Sequence, residues 1–453
     1  MKTIAIIGGG FSGTLTAIQL LQKNKDAAVK LINYMQPLAK GIAYSTNDHR
    51  HLLNVSAGKM SAFNDQPDHF INWLKDQKEY AHYIKGNIKD EFLPRFIYGS
   101  YLTALFEQYL SDKQLEIITL KAIAVKRLQN NFSIRFDNNT SLEADKIVLA
   151  MGNFQPAPPK IKNTAFFKSP NYFNNPWNLS FLDNCDLTKN ILLIGTGLTM
   201  ADCIISLKGA GFKGHIYVTS PRGYMLASHE ETIPYHDFYN ELENQSLITV
   251  FKIVRKHLEI AKTKNISWHS VIDALRPHAQ KIWINLSQKE KQQFISHLRH
   301  IWGLARHRLP QNVYKELINL KEKDQLEIIG GRIKEIVEGN KTISVTIQLR
   351  KSNVTKELNV SRIINCTGPQ INYSELNDEL INNLVASGMI ALNPLKMGTM
   401  ATADNKVLKN ETELSVNIYA LGTLLRGVLW ETTAVPEIRI QAENIAKQII
   451  DSI

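Results

Sequence analysis

The sequence predicts an α/β protein built from two parallel-sheet domains, the second carrying an inserted run of helices. Three observations lead there. The segments "KTIAIIGGGFSGTLTAIQLLQ" and "KNILLIGTGLTMADCIISLKGAG" each read as an apolar strand, a glycine turn and an apolar-periodic helix. Further apolar strands run into glycine at Ala150-Met151-Gly152, at Thr367-Gly368 and at Gly422, as strands returning to a sheet would. A chain of 453 residues with 44% hydrophobic and 21% charged residues can bury such cores, and this composition excludes a disordered or fibrous chain.

The first strand, Ile4 to Ile7, passes into Gly8, Gly10 and Gly13, which fill G-x-G-x-x-G. The first glycine permits a tight turn, the second lets backbone approach a pyrophosphate, and the third lets helix and strand pack closely. Phe11, Ser12 and Gly13 open the helix, whose unpaired N–H groups and positive dipole end suit phosphate. The pattern points to a bound dinucleotide. Residues Thr3 to Gln22 carry no charge, so a signal peptide or membrane segment competes for this stretch. The glycines, with Ser12, Thr14 and Thr16, interrupt any continuous apolar run, and no membrane association is expected. "AAVKLINYM" is the second strand. Asn33 stands near its end where an acid would bind a ribose hydroxyl; the amide can still hydrogen-bond, but without charge.

"NNFSIRFDNNTSLEADKIVLAMGN" reads as a β-meander feeding the strand that reaches Gly152. The second glycine turn holds Gly195 and Gly197, with Leu198 and Thr199 opening its helix and Met200 in the third glycine's place. Methionine there predicts looser helix–strand packing and leaves phosphate approach open. The following strand, "HIYVTSPRG", ends on Ser220 and Arg222 rather than an acid. A hydroxyl and a guanidinium suit a 2′-phosphate, so NADPH is expected over NADH; a solvated loop cation is the plainer alternative for Arg222. Two such turns imply two nucleotides and two Rossmann-like dinucleotide-binding domains. The expected division is 1–155 with 371–453, and 156–370 with the helical insertion at about 230–325.

Charge is concentrated in that insertion. The chain carries 53 Lys and Arg against 42 Asp and Glu, a net charge of +11. Residues 251–310 alone hold 12 Lys and Arg against 3 Asp and Glu, with six of the 13 histidines. Helical spacing puts Phe294, Leu298, Ile301 and Ala305 on one face, and pairs Arg299 with Arg306 and His300 with His307. An anion-binding wall, a subunit contact in a homo-oligomer and a solvated basic face all fit this charge. No basic–aromatic interleaving of the single-strand-binding kind occurs, and no nucleic-acid partner is expected. The histidines lack a carboxylate pattern or HExxH, so no metal is expected. Cys185, Cys203 and Cys366 are too few for a disulfide scaffold and lie outside CxxC spacing, which speaks against a dithiol centre and for a reducing, cytoplasmic setting.

Several longer segments carry a resemblance. "GIAYSTNDHRHLLNVSAGKMSAFNDQPDHFINWL", "LPRFIYGSYL", "VIDALRP", "HLRHIWGLARHRLP" and "ALGTLLRGVLWETTAVPEIRIQA" together resemble the two-dinucleotide-binding flavoproteins, in particular FAD/NAD(P)-binding oxidoreductases related to class B flavin monooxygenases. The likeness reaches from the N-terminus to near residue 450. It implies FAD on the first turn, with Val125 touching adenine through its backbone and with Gly152 and Gly422 beside the cofactor. It puts Asn54 and Lys59 near the isoalloxazine, a turn role being the alternative for Asn54. Pro436 should open a helix running to about Ile450 whose dipole stabilises reduced flavin, with Trp430 and Glu431 ahead of it. Trp430 also fits a plain core role, and Glu431 an exposed or capping one.

Arg95 and Tyr98 are candidates to orient flavin or substrate, with packing and solvated charge as the alternatives. The implied activity is NADPH-dependent monooxygenation through a flavin hydroperoxide, with molecular oxygen and a small polar, anionic or amino-acid substrate. The Baeyer–Villiger fingerprint F-x-G-x-x-x-H-x-x-x-W starts at "FKGH" and fails, which points away from ketone oxygenation and leaves N-oxygenation of an amino acid or amine more open. No side-chain nucleophile is required, so Asn54, Arg95, Tyr98 and Glu431 remain candidates without an assigned catalytic role. Asn33 departs from the usual acid, Thr423 stands where this branch more often has proline, and the acid that commonly ends the last FAD-contacting strand is absent after Gly422. An NAD(P)H-flavin reductase or dehydrogenase without stable oxygen activation, and a nucleic-acid-associated flavoprotein, are the alternatives.

Overall fold

A computed structural model describes residues 1–23, 26–34 and 37–453. Met35, the expected end of the second strand, lies outside them. The first sheet has six strands in the order Lys406–Leu408, Leu414–Ala420, Lys146–Leu149, Lys2–Ile7, Ala27–Ile32, Leu115–Ile118. All neighbours are parallel except the edge pair Lys406–Leu408 and Leu414–Ala420. Alternation along Lys2–Ile7 explains why its run is apolar throughout. Ile4 and Ile6 face the helices Phe11–Lys23 and Val435–Ile450 through Leu15, Ile18, Ala442 and Ile445. Ala5 and Ile7 face the antiparallel three-stranded sheet of Ala122–Arg127, Phe132–Phe136 and Ser141–Ala144 through Phe132 and Ile134. A strand covered on both faces loses its polar positions.

The second sheet has seven strands: Thr355–Val360, Ile343–Leu349, Leu326–Glu338, Ile216–Ser220, Ile191–Ile194, Arg362–Asn365, Tyr172–Phe173. Leu326–Glu338 begins parallel to Ile216–Ser220, as far as Gly330, and from Gly331 pairs antiparallel with Ile343–Leu349, with a bulge between Ile333 and Glu335. In both sheets the strand entering the glycine turn is central. The next strand lies on one side of it and a late-returning strand on the other. The order reverses there, which opens a crevice at the carboxyl ends of the strands.

The residues between Ile216–Ser220 and Leu326–Glu338 are largely helical. Gln311–Glu322 buries Val313, Leu317 and Leu320 with Leu207 in the second sheet's core, as an ordinary crossover helix does. The preceding helices form their own clusters, Phe238, Leu242, Val250, Val271 and Leu275 in one, Leu247, Trp283 and Leu286 in the other. The expected apolar face of Phe294, Leu298, Ile301 and Ala305 is corrected by a wide π turn at Phe294–Leu298 ahead of the helix Arg299–Arg306. Its i→i+5 bonding rotates the helix beyond it out of register with the turn before. Phe294 and Leu298 pack on the Trp283 cluster while Ile301 is exposed. No helix among the described residues is long and apolar enough to cross a membrane.

Candidate functional site

At the first crevice, Gly8 has φ +111°, and a Cβ there would overlap the Ala150 carbonyl of the neighbouring strand. A Cβ on Gly13 would overlap the Gly8 carbonyl, so turn, strand and helix close on each other only through glycine. Gly10 faces Gly41 (φ +60°), where a Cβ would lie 3.2 Å from the Gly41 Cα. Phe11 packs edge-on to Tyr44 and Tyr98. Asn33 turns inward: its Oδ1 accepts from the Gly9 N–H at 3.2 Å, so the amide braces the turn.

The C-terminal strand delivers Gly422 (φ +70°) to the same place, near Ser12. A closed hydrogen-bond loop fixes it. The Gly422 N–H donates to Gln441 Oε1 (2.8 Å), Gln441 Nε2 donates to Thr432 Oγ1 (2.7 Å), and Thr432 donates to the Gly422 carbonyl (3.2 Å). Thr423 donates to the carbonyl of Gly152 (φ +67°) and accepts from Tyr373 (3.3 Å), a bridge that proline could not donate. This cradle of glycine backbone beside the start of a 13-residue helix fits a dinucleotide such as FAD, whose pyrophosphate would meet Gly10, Phe11, Ser12 and Gly13.

The second crevice repeats the first. Gly195 has φ +110°, and a Cβ would lie 2.5 Å from the carbonyl oxygen of Cys366, the counterpart of Ala150. Gly197 meets nothing within 4 Å where its Cβ would project, so its open side is available to a ligand together with Leu198 and Thr199. Met200 is fully buried in the third glycine's place. Ser220 Oγ accepts from Thr196 (3.2 Å) and from the Gly223 N–H (3.0 Å), tying the turn to the loop that carries Arg222.

Beyond Ser220 lies an open cleft of about 710 Å³ lined by Arg222, Arg332, Arg350 and Lys351, with Gln348, Ser352 and Asn353 and no carboxylate. Arg350 Nη1 lies 3.5 Å from the Arg222 carbonyl and 3.4 Å from Tyr224 Oη, and its guanidinium sits 5.5 Å from the Tyr224 ring. Its hydrogen bond, and then its charge, lower the Tyr224 hydroxyl's pKa from the ordinary tyrosine value. Arg332, Arg350 and Lys351 escaped the sequence reading because they belong to the hairpin extension of the third strand, 128 residues beyond Arg222 at Arg350. The only signal available was the basic run at 350–351.

Other expected residues have different partners. Arg95 pairs with the helix after the second glycine turn: Nη1 binds Asp202 Oδ2 at 2.6 Å and Nη2 binds Oδ1 at 3.3 Å. Tyr98 is fully buried among Phe11, Tyr44, Phe70 and Tyr101, and burial raises its pKa well above the ordinary value; it is a packing residue. The Val125 N–H donates to Asn383 Oδ1 at 2.7 Å. The Asn54 carbonyl lies 3.1 Å from His229 Nε2, and Lys59 is exposed.

Trp430, at φ +63°, stacks on Trp283 (5.1 Å) and meets Phe294 edge-on (5.0 Å). Glu431 accepts from Trp302 Nε1 (2.6 Å) and pairs with Arg306 (3.4 Å). Both anchor the helical insertion on the C-terminal segment, where Trp283 Nε1 also donates to the Gly427 carbonyl (3.2 Å). Cys203 and Cys366 sit with their sulfurs 3.6 Å apart, a pairing that their sequence spacing hides. Burial holds the Cys203 thiol well above its ordinary pKa, so it is no ready thiolate.

Residues 5–154 match the FAD-NAD(P)-binding family model. The whole chain has the fold of the two-dinucleotide-binding flavoproteins. It superposes on an ornithine N-hydroxylase of Kutzneria sp. 744 with a TM-score of 0.70 at 12% identity, covering 100% of this chain and 99% of that one. The L-lysine 6-monooxygenase of Pseudomonas syringae gives 0.67 at 15% identity, covering 100% of both chains. Among curated proteins, the Escherichia coli K12 protein YdhS is 23% identical over 222 residues, 46% of this chain. That match spans 39% of the length of YdhS.

Proposed function

We propose that this protein is an FAD-dependent NADPH oxidoreductase acting as a monooxygenase on a small polar substrate, with N-oxygenation of an amino acid or amine as its reaction. The observation that carries the reading is the repeated glycine cradle, closed by Ala150 at one crevice and by Cys366 at the other, with a carboxylate-free basic cleft beside the second. FAD at the first cradle would supply two-electron exchange with NADPH and the activation of oxygen. The first turn holds its pyrophosphate, and Gly152 and Gly422 form the walls that a side chain would close. The second turn receives the NADPH pyrophosphate, Ser220 fixes the loop, and Arg222 with Arg332, Arg350 and Lys351 binds the 2′-phosphate. The insertion, docked through Trp283, Trp302 and Arg306 onto residues 427–431, screens the C-terminal segment from water. The monooxygenase arm draws on the likeness to the two hydroxylating proteins named above.

The test is NADPH consumption by the purified holoprotein under labelled dioxygen, with panels of amino acids and amines. The expected result is one bound FAD per chain and a labelled N-oxygenated product formed in step with NADPH loss. Consumption that yields hydrogen peroxide alone with every amine would overturn the monooxygenase arm in favour of a reductase, and protein that binds no FAD would overturn both.

A further inference from the structure

Between the sheets lies a buried polar contact that neither nucleotide site uses. Thr46, Asp48, Arg50 and His51 form a self-satisfied turn. The Asp48 N–H donates to Thr46 Oγ1 (3.2 Å), and Arg50 donates to Asp48 through its backbone N–H (3.0 Å), Nε (2.7 Å) and Nη2 (2.8 Å). This turn presents Asp48 Oδ2 and His51 Nε2 to Ser206, whose Oγ lies 2.8 and 2.7 Å from them. With the His51 proton on Nε2, Ser206 donates to Asp48 and accepts from His51, while His51 Nδ1 accepts from Thr46 at 2.9 Å. Beside it Arg95 grips Asp202 with two N–H groups and donates from Nε to the Leu52 carbonyl at 3.0 Å.

Asp202 and Ser206 lie one turn apart on one face of Leu198–Gly209, the helix that begins at the second glycine turn. At 1.5 Å per residue, Asp202 lies only ~8 Å along the axis from the phosphate-facing end. The other face buries Cys203, Ile204 and Leu207 in the second sheet's core, so the helix and its sheet move together. At the far end, a Cβ on Gly209 would overlap the Arg50 guanidinium, so glycine there lets Arg50 close over the helix.

We propose that Asp202 and Ser206 are positioning residues for hydride transfer: held by Arg95, Asp48 and His51, they fix the second glycine turn against the first unit, and the reaction proceeds in this arrangement of the sheets without one swinging against the other. This rests on the FAD/NADPH reading above. In the step concerned NADPH gives up a hydride and becomes NADP⁺, and the flavin gains that hydride together with a proton from solvent. A misplacement of about 1 Å in such a geometry costs about 100-fold in rate.

The experiment is anaerobic stopped-flow reduction of the holoprotein by NADPH, comparing wild type with Arg95→Ala, Asp202→Asn, Arg95→Lys and the milder Ser206→Ala. The limiting reduction rate is expected to fall about 10- to 100-fold in Arg95→Ala and Asp202→Asn, less in Ser206→Ala, with partial recovery in Arg95→Lys. The NADPH dissociation constant should stay within about threefold of wild type, and reduction by dithionite, which needs no second nucleotide, should not change. An unchanged limiting rate in Ser206→Ala and Asp202→Asn, or a loss shared equally by dithionite, overturns the positioning role. Wild-type flavin that NADPH cannot reduce would instead overturn the functional reading on which the role depends.

Discussion

Arg222→Ala separates a phosphate contact from a solvated surface charge. Arg222 is half-buried at the mouth of the basic cleft, with Nη2 3.4 Å from the His297 carbonyl, whereas Arg332, Arg350 and Lys351 are exposed. A hydrogen bond to a charged group contributes about 1.5–3 kcal/mol, and partial exposure puts Arg222 near the lower end. At about 1.4 kcal/mol per tenfold, removing it should raise the KM for NADPH about 10- to 30-fold. NADH has no 2′-phosphate, so its KM should move by less than about twofold. Steady-state kinetics with both coenzymes would read the ratio directly, and Arg222→Lys should recover part of it. Added salt should narrow the wild-type preference, because three of the four cations face solvent. Equal losses with NADPH and NADH, or none with either, would refute the assignment of this cleft to the 2′-phosphate.

Two further outcomes are expected from the geometry. A Cβ on Gly13 would collide with the Gly8 carbonyl, while one on Gly197 would meet nothing within 4 Å. Gly13→Ala should therefore yield protein that retains its helical circular dichroism but binds FAD at least about tenfold more weakly, and Gly197→Ala should keep FAD while raising the KM for NADPH; titration of FAD and of NADPH distinguishes them. Burial pushes the pKa of His229 down to about 4. A histidine whose pKa is depressed in the folded state favours unfolding once the unfolded chain takes up its proton, so this contribution is present above about 6.5 and lost as pH falls towards 4. The loss is on the order of 2–3 kcal/mol. Urea melts at pH 7 and pH 4.5 should show a smaller acid-induced drop in His229→Gln than in wild type, and identical drops would count against the assignment.

What the sequence determined by itself is local and periodic. Short continuous apolar runs, glycines at fixed offsets and helical spacing after them specify strands covered on both faces, turns that need positive φ, and helices aimed at phosphate. Gly8, Gly13 and Gly195 are legible because each fills a space or adopts a φ closed to any side chain. The C-terminal helix was equally readable from Pro436, which sits in the first turn of Val435–Ile450.

Tertiary structure decided which distant residues meet. Arg95 is 107 residues from Asp202, Cys203 is 163 from Cys366, and Arg350 is 128 from Arg222. Neither propensity nor periodicity names such partners; sheet order and close packing do. Arg95 and Tyr98 lie three apart on neighbouring positions of one helix, yet the Arg95 side chain pairs with Asp202 of the second unit while Tyr98 joins an aromatic core. The basic cleft is the sharpest case. Its charge was visible along the chain, but only the antiparallel return of Ile343–Leu349 onto Leu326–Glu338, which pairs Leu349 with Gly331 beside the partner of Ser220, brings Arg350 to the end of the Ser220 strand, where a phosphate can use it.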